Sequence, residues 1–186
     1  MNVSLLTALV AIGALLVVLL VIGFRYTRKL RRSYKSTWEE LMNQIVPIDR
    51  QAIETVALDA IEPSGERRSD EHRRELGRKE IWDLLGGMDG IRRMENNSRV
   101  LIEMALYLQQ WHPEAADTAE EIRLEAGKLN WQTRWLHEAE KNDCLELHFH
   151  MYGQNAAISY YSMVKKTIAL FQHSEASLLG DLQRAL

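Results

Sequence analysis

The sequence is poor in residues that cross-link or interrupt a chain. Cys144 is the only cysteine among 186 residues, which excludes an intramolecular disulfide and a cysteine-cluster metal site within one chain. Only three prolines occur, Pro47, Pro63 and Pro113, and they are too few and too dispersed to form a proline-rich linker. We therefore expect the prolines to mark helix boundaries.

Strand patterns and familiar catalytic motifs are also missing. No run of alternating apolar and polar residues is bounded by turn signals, which disfavours a sheet and with it the Rossmann and P-loop folds. The stretch LLGGMDG, residues 84–90, lacks the Lys and the Ser or Thr of a phosphate-binding loop, and no Gly-x-Ser-x-Gly elbow occurs. We predict an all-α protein without a cofactor, and the motifs favour binding over catalysis while leaving enzymatic activity open.

Positive charge is scarce outside one short segment. The chain has 23 Lys and Arg against 26 Asp and Glu, and six of the cations fall within residues 25–35. The remaining 17 basic residues face all 26 acidic ones, so the sequence after Ser36 carries a net charge of −9. Because nucleic-acid binding depends on clustered Lys and Arg, we expect no nucleic-acid partner.

The first 24 residues contain no charged side chain. The apolar run from Val3 to Phe24 is 22 residues long, and about 20 suffice to cross a bilayer as a helix. A cleaved signal peptide would need a basic start and a shorter apolar run. Residues 1–24 are therefore predicted to be a transmembrane anchor.

Six cations follow this run and predict its orientation. Since Lys and Arg beside a span are retained on the cytoplasmic side, we expect a single-pass protein with its amino terminus outside and its carboxyl-terminal domain in the cytoplasm. The same cations would contact the anionic membrane surface. They are Arg25, Arg28, Lys29, Arg31, Arg32 and Lys35.

Small side chains share one face in the first half of the predicted span. Such side chains let helix backbones approach closely, so this face could pack against another transmembrane helix. Simple exposure to lipid is the alternative. The residues are Ser4, Thr7, Ala8, Ala11 and Ala14.

An apolar stripe continues beyond the cations and predicts a helical stalk. Apolar residues recur every three or four positions from Tyr26 to Ile45, and Pro47 ends the pattern. We expect one continuous helix over residues 3–46, with residues 25–47 forming a polybasic juxtamembrane segment and stalk. Two heptads are too few for a coiled coil, so packing of the stripe against the chain's own domain is favoured.

Residues 48–186 are predicted to form a cytoplasmic antiparallel helical bundle. Asp49 is placed to cap a first helix, and Gly86 to end the next. Residues 113–141 read as a long charged helix, whereas residues 144–171 contain only three charged side chains. A helix that is apolar nearly all round must be covered on several sides, so we expect the latter to be the centre of the bundle.

Two sets of side chains are candidates for a functional site. The charged helix combines acidic residues that could steer a basic partner with aromatic residues that could anchor it, namely Glu120, Glu121, Glu125, Trp131 and Trp135. The alternative is a metal site, because Cys144 and His148 are four residues apart on one helix face and His137 lies one loop upstream. Ordinary burial in the core would explain the two tryptophans as well, and buried or capping histidines would explain the second set.

The leading hypothesis is a single-pass, membrane-anchored adaptor or accessory subunit. It would bind a protein partner, or join a larger membrane complex, at the cytoplasmic membrane face. The alternative hypothesis is a membrane-tethered metal-binding protein or metalloenzyme that uses Cys144, His148 and His137.

Overall fold

The computed structural model describes residues 37–60, 76–174 and 176–186. Every regular element in these ranges is helical, which confirms the all-α prediction for this part of the chain. The α-helices are α1 (Trp38–Gln44), α2 (Arg50–Asp59), α3 (Arg78–Leu85), α4 (Gly87–Gln109), α5 (Ala116–Lys141), α6 (Leu145–Ser174) and α7 (Ala176–Ala185). A 3₁₀ turn, Pro113–Ala115, precedes α5.

Helix α1 has its own capped start at Trp38. Thr37 has extended backbone angles, φ −75° and ψ 160°. Its hydroxyl accepts a hydrogen bond from the Glu40 N–H at 3.3 Å, and the Glu40 carboxylate accepts one from the Thr37 N–H at 3.0 Å. This reciprocal capping box stabilises a helix start. The prediction of one helix through residues 3–46 is therefore wrong at Thr37, and the part of that range before Thr37 lies outside the described residues.

The apolar face of α1 packs into the helical bundle. A compact unit extends from Thr37 to Leu186, and Leu41 and Ile45 are buried in its core. The Trp38 ring lies with its centroid 5.0 Å from that of Phe171 in α6. The stripe thus packs against the chain's own domain, as the sequence predicted for this segment.

No helix in the described part of the chain is long and apolar enough to cross a membrane. This finding contradicts the predicted localisation of a single-pass membrane protein with a cytoplasmic carboxyl-terminal domain, and that prediction is wrong. The most apolar long helix, α6, uses its apolar surface inside the bundle core.

Several predicted features of the amino-terminal region lie outside the described residues. These are the proposed span Val3–Phe24 and the two sets of side chains assigned to it or to the adjoining membrane surface. The sets are the small residues Ser4, Thr7, Ala8, Ala11 and Ala14, and the cations Arg25, Arg28, Lys29, Arg31, Arg32 and Lys35.

Helix α6 is the centre of the bundle, as its composition predicted. It packs against α2, α3, α4, α5 and α7. Its buried side chains face several directions and include Phe149, Ala156, Tyr160, Met163 and Phe171. Helix α5 joins it through a short turn in which Asp143 adopts a left-handed conformation, φ 55°, so α5 and α6 form an antiparallel hairpin.

Glycines allow the sharp corner between α3 and α4. Gly86 ends α3 with φ +71°, and Gly87 follows with φ +59°, values that L side chains adopt at a cost. A Cβ atom at Gly90 would overlap the backbone carbonyl oxygen of Leu85. Gly90 therefore lets the first turn of α4 lie directly against the end of α3.

Asn97 joins three parts of the bundle through one buried amide. Its Oδ1 accepts a hydrogen bond from the Val46 N–H at 2.9 Å, and its Nδ2 donates to the Val46 carbonyl at 2.8 Å. The same Nδ2 donates to the Tyr160 hydroxyl at 3.1 Å. Asn97 in α4 thereby holds the non-helical linker between α1 and α2 and contacts α6.

Replacing Asn97 should destabilise the bundle strongly. Asn97→Ala would leave both peptide groups of Val46 and the Tyr160 hydroxyl without this partner, and we expect a loss of about 2–4 kcal/mol in the free energy of unfolding. The exposed neighbour provides a matched control, since Asn96→Ala should change stability by about 0.5 kcal/mol or less. Urea unfolding followed by circular dichroism measures both, and equal midpoints for the two variants would contradict the bridging role.

Tyr160 should make stability decline at high pH. Burial raises the pKa of Tyr160 from 10.0 to about 12, and hydrogen-bond donation from Asn97 acts in the opposite direction. The folded-state pKa lies above the unfolded one. The contribution of the neutral Tyr160 phenol to the free energy of unfolding is therefore complete below pH 10 and is lost as the pH rises through 12. At 1.36 kcal/mol per pKa unit the loss is about 2–3 kcal/mol.

Unfolding free energies of the wild type and of Tyr160→Phe between pH 8 and pH 12 test this. The difference between the two proteins should shrink or reverse as the pH rises, because only the wild type carries this phenol, which ionises in the unfolded chain at a lower pH than in the folded protein. Tyrosines common to both proteins cancel in the comparison. Two parallel curves across this range would rule out the linkage.

Candidate functional site

Three aromatic rings form a cluster on the α5–α6 hairpin. The Trp131 and Trp135 rings lie with centroids 6.1 Å apart in an edge-to-face arrangement. Tyr152 of α6 stacks on Trp135 with an interplanar angle of 9°, and its centroid is 5.7 Å from that of Trp131. We call Trp131, Trp135 and Tyr152 the aromatic cluster.

Helix geometry places the two indoles side by side. Residues four apart lie on the same helix face one turn from each other, so Trp131 and Trp135 share a face of α5. The opposite face is buried in the core through Leu129, Thr133 and Leu136. The antiparallel pairing of α5 with α6 then brings Tyr152 against both indoles.

The two indoles of the cluster are exposed although they are apolar, and Tyr152 is half-buried. Trp131 is 55% and Trp135 49% accessible to solvent, and three further exposed apolar side chains lie on the same two helices. Leu124 is seven residues before Trp131, two turns along α5. On α6, Leu147 is five residues before Tyr152 and Met151 immediately precedes it. Large apolar side chains exposed in a group, as the two indoles are, mark interaction sites. Ordinary burial in the core, the alternative explanation for Trp131 and Trp135, does not account for their exposure.

The three predicted acidic residues differ in environment. The side chains of Glu120 and Glu121 are 59% and 57% exposed, whereas that of Glu125 is only 14% exposed. Each one is paired with a cation, in the contacts Glu120–Arg123 at 2.7 Å, Glu121–Lys166 at 2.9 Å and Glu125–Lys128 at 3.0 Å. Local cations therefore offset this acidic row, and the exposed aromatic side chains are the more distinctive feature of the surface.

The structure does not assemble the alternative metal site. His137 lies with Nε2 3.4 Å from the Glu95 carboxylate and Nδ1 3.6 Å from that of Glu140, while the His148 ring lies against Tyr152. Among the described residues, no group of three or more His, Cys, Asp or Glu side chains is arranged to hold a metal ion. Cys144, His148 and His137 are thus not gathered around one position.

Sequence reasoning missed the contribution of α6 to this surface. The apolar composition of α6 indicated burial on nearly all sides of this helix. The spacing of Leu147 and Met151, four residues apart near the amino-terminal end of α6, was the available signal. Both are exposed.

Comparison of the chain with known protein families, with curated proteins and with solved structures found no match. The function must therefore be argued from the surface itself.

Glu125 should matter more to stability than Glu120. Besides Lys128, its carboxylate lies 3.8 Å from Lys166 of α6, so Glu125→Lys would gather three ammonium groups in a half-buried position. We expect a loss of about 1–2 kcal/mol in the free energy of unfolding.

Glu120→Lys is the matched control because that side chain points mostly into solvent and should change stability by about 0.5 kcal/mol or less. Thermal unfolding of the two variants at low salt measures the difference. A larger loss of stability for Glu120→Lys than for Glu125→Lys would show that the contact between Glu125 and Lys166 does not stabilise the fold.

Proposed function

We propose that the helical bundle is a binding module, an adaptor or accessory subunit that docks a protein partner on the aromatic cluster. The observation that carries this proposal is the exposure of two indoles that are held in fixed contact with Tyr152. Leu124, Leu147 and Met151 are further exposed apolar side chains on the same two helices. We call these three residues together with the aromatic cluster the docking surface.

Tryptophan and tyrosine are well suited to dominate such an interface. Each buries about 150–250 Å² when covered, and truncation of an aromatic hot-spot residue typically costs about 2 kcal/mol or more in binding. The indole N–H and the phenol hydroxyl also retain hydrogen-bonding capacity toward a partner. Met151 adds a flexible side chain that adapts to the shape of what it meets.

Because the three rings pack against one another, a partner can bind them with little loss of side-chain conformational entropy. Trp131 and Trp135 constrain each other, and Tyr152 stacks on Trp135 from the neighbouring helix. Side chains already fixed in the free protein lose less conformational entropy on binding than freely rotating ones. The cluster is therefore better prepared for docking than isolated surface tryptophans would be.

The charges around the docking surface are of both signs, so we expect them to affect the choice of partner more than to attract it strongly. Arg134 and Lys128 lie on the same exposed side of α5 as Glu120 and Glu138, and both signs are interspersed. Rim charges of this kind chiefly affect association rate and choice of partner. We accordingly expect a partner that presents an apolar contact area with a mixed polar rim.

Site-specific photo-crosslinking tests the proposal in cells. With p-benzoylphenylalanine in place of Trp131, irradiation should yield a discrete crosslinked product that contains a second protein. Trp111 provides the matched control: it is 68% exposed and makes no ring contact with another aromatic side chain in the described part of the chain. The photo-probe at position 111 should not give the same product.

Truncation of the cluster should weaken the same product. In a chain carrying the photo-probe at Met151, Trp135→Ala should lower the crosslink yield at least about tenfold, as expected for a loss of about 1.4 kcal/mol or more. Trp111→Ala should leave it unchanged. Identical products from positions 131 and 111, or a product that contains only a second copy of this chain, would contradict docking of a distinct partner on this surface.

A further inference from the structure

A surface cleft of about 510 Å³ opens between α3 and the first turns of α6. Trp82 and Phe149 provide aromatic walls, and Arg78 and Lys79 stand at the amino-terminal end of α3 beside them. Pockets of about 300–1,000 Å³ commonly hold small molecules. None of these residues belongs to the docking surface.

Nearby glycines leave room for the two aromatic walls of the cleft. The Trp82 and Phe149 rings lie with centroids 4.4 Å apart at an angle of 57°, Phe149 is buried, and Trp82 is 38% exposed. A Cβ atom at Gly87 would lie 2.7 Å from the Trp82 ring, and one at Gly153 would lie 3.2 Å from the Phe149 ring. The Trp82 ring therefore occupies space that glycine leaves open at position 87, and any larger residue at position 153 would require the Phe149 ring to shift slightly.

The charged residues at the cleft are predominantly basic. Arg78 and Lys79 outnumber Glu146, and His150 contributes an imidazole. Neither Arg78 nor Lys79 forms an ion pair with another side chain in the described part of the chain, whereas Arg92, Arg99 and most cations of α5 pair with carboxylates. Both cations are exposed and so can reach an anion in the cleft.

We propose that this cleft binds a small organic anion with a flat apolar body. The apolar body packs on the Trp82 ring above Phe149, and the anionic group meets Arg78 and Lys79. Aromatic or cyclic carboxylates and sulfonates have this chemistry, because a planar guanidinium and an ammonium both form charge-assisted hydrogen bonds with such oxygens. The proposal stands independently of partner docking on the α5–α6 hairpin.

A matched pair of probes separates the two parts of this recognition. Naphthalene-2-sulfonate carries a ring system and a negative charge, whereas naphthalene-2-sulfonamide keeps the ring system and is neutral. Isothermal titration calorimetry on the full chain should show one sulfonate site and a weaker response to the sulfonamide. In ¹H–¹⁵N spectra the indole N–H signal of Trp82, assigned by its absence in Trp82→Phe, should shift on addition of the sulfonate.

Paired variants test the charges. Arg78→Gln combined with Lys79→Gln should weaken sulfonate binding about fivefold to tenfold and leave sulfonamide binding nearly unchanged, as expected for two partly solvated charge contacts. Arg93→Gln combined with Arg134→Gln removes the same charge outside the cleft and should have little effect. Trp131→Ala should not alter sulfonate binding at all, which distinguishes this cleft from the docking surface.

Three results would overturn the proposal. One is equal affinity for the sulfonate and the sulfonamide, which would show that charge is not recognised. Another is equal weakening by the two double variants, which would reflect net charge alone. The third is an unshifted Trp82 indole signal at saturating sulfonate, which would place the probe elsewhere on the protein.

Discussion

A chain that changes direction beside its own core must still satisfy the peptide groups at the bend. In this bundle the bend between α1 and α2 depends on Asn97, which pairs with both the N–H and the carbonyl of Val46. The amide replaces the helical hydrogen bonds that Pro47 prevents, and it also reaches Tyr160 in α6. This contact holds the linker after α1 against α4 and joins both to α6.

Much of the helical architecture was predictable because its signals are local. Asp49 caps α2 by accepting the Ala52 N–H, and Gly86 ends α3 in the left-handed conformation expected of a carboxyl-terminal cap. The failure at Thr37 had a local signal too, since Thr-x-x-Glu is the spacing of a capping box. The uninterrupted apolar stripe hid that start, because side-chain periodicity continues in phase across the break.

The site was only half predictable, because half of it depends on how two helices pair. Trp131 and Trp135 follow from a spacing of four along one helix, which the sequence displays directly. Tyr152 joins them through the register of the α5–α6 hairpin, and no local pattern specifies that register. The low exposure of Glu125 has the same origin, since Lys166 of the neighbouring helix helps to enclose it.

The edge-to-face contact between the two indoles has an optical consequence. Chromophores with strong, neighbouring transition dipoles share their excited states when they are close and not parallel, and these rings lie 6.1 Å apart at 69°. Such a pair produces a bisignate circular-dichroism band whose sign and size depend on the angle between the rings. The circular-dichroism band is thus an intrinsic probe of ring orientation on the α5–α6 hairpin. Rotation of either ring by a few tens of degrees would change the band without any added label.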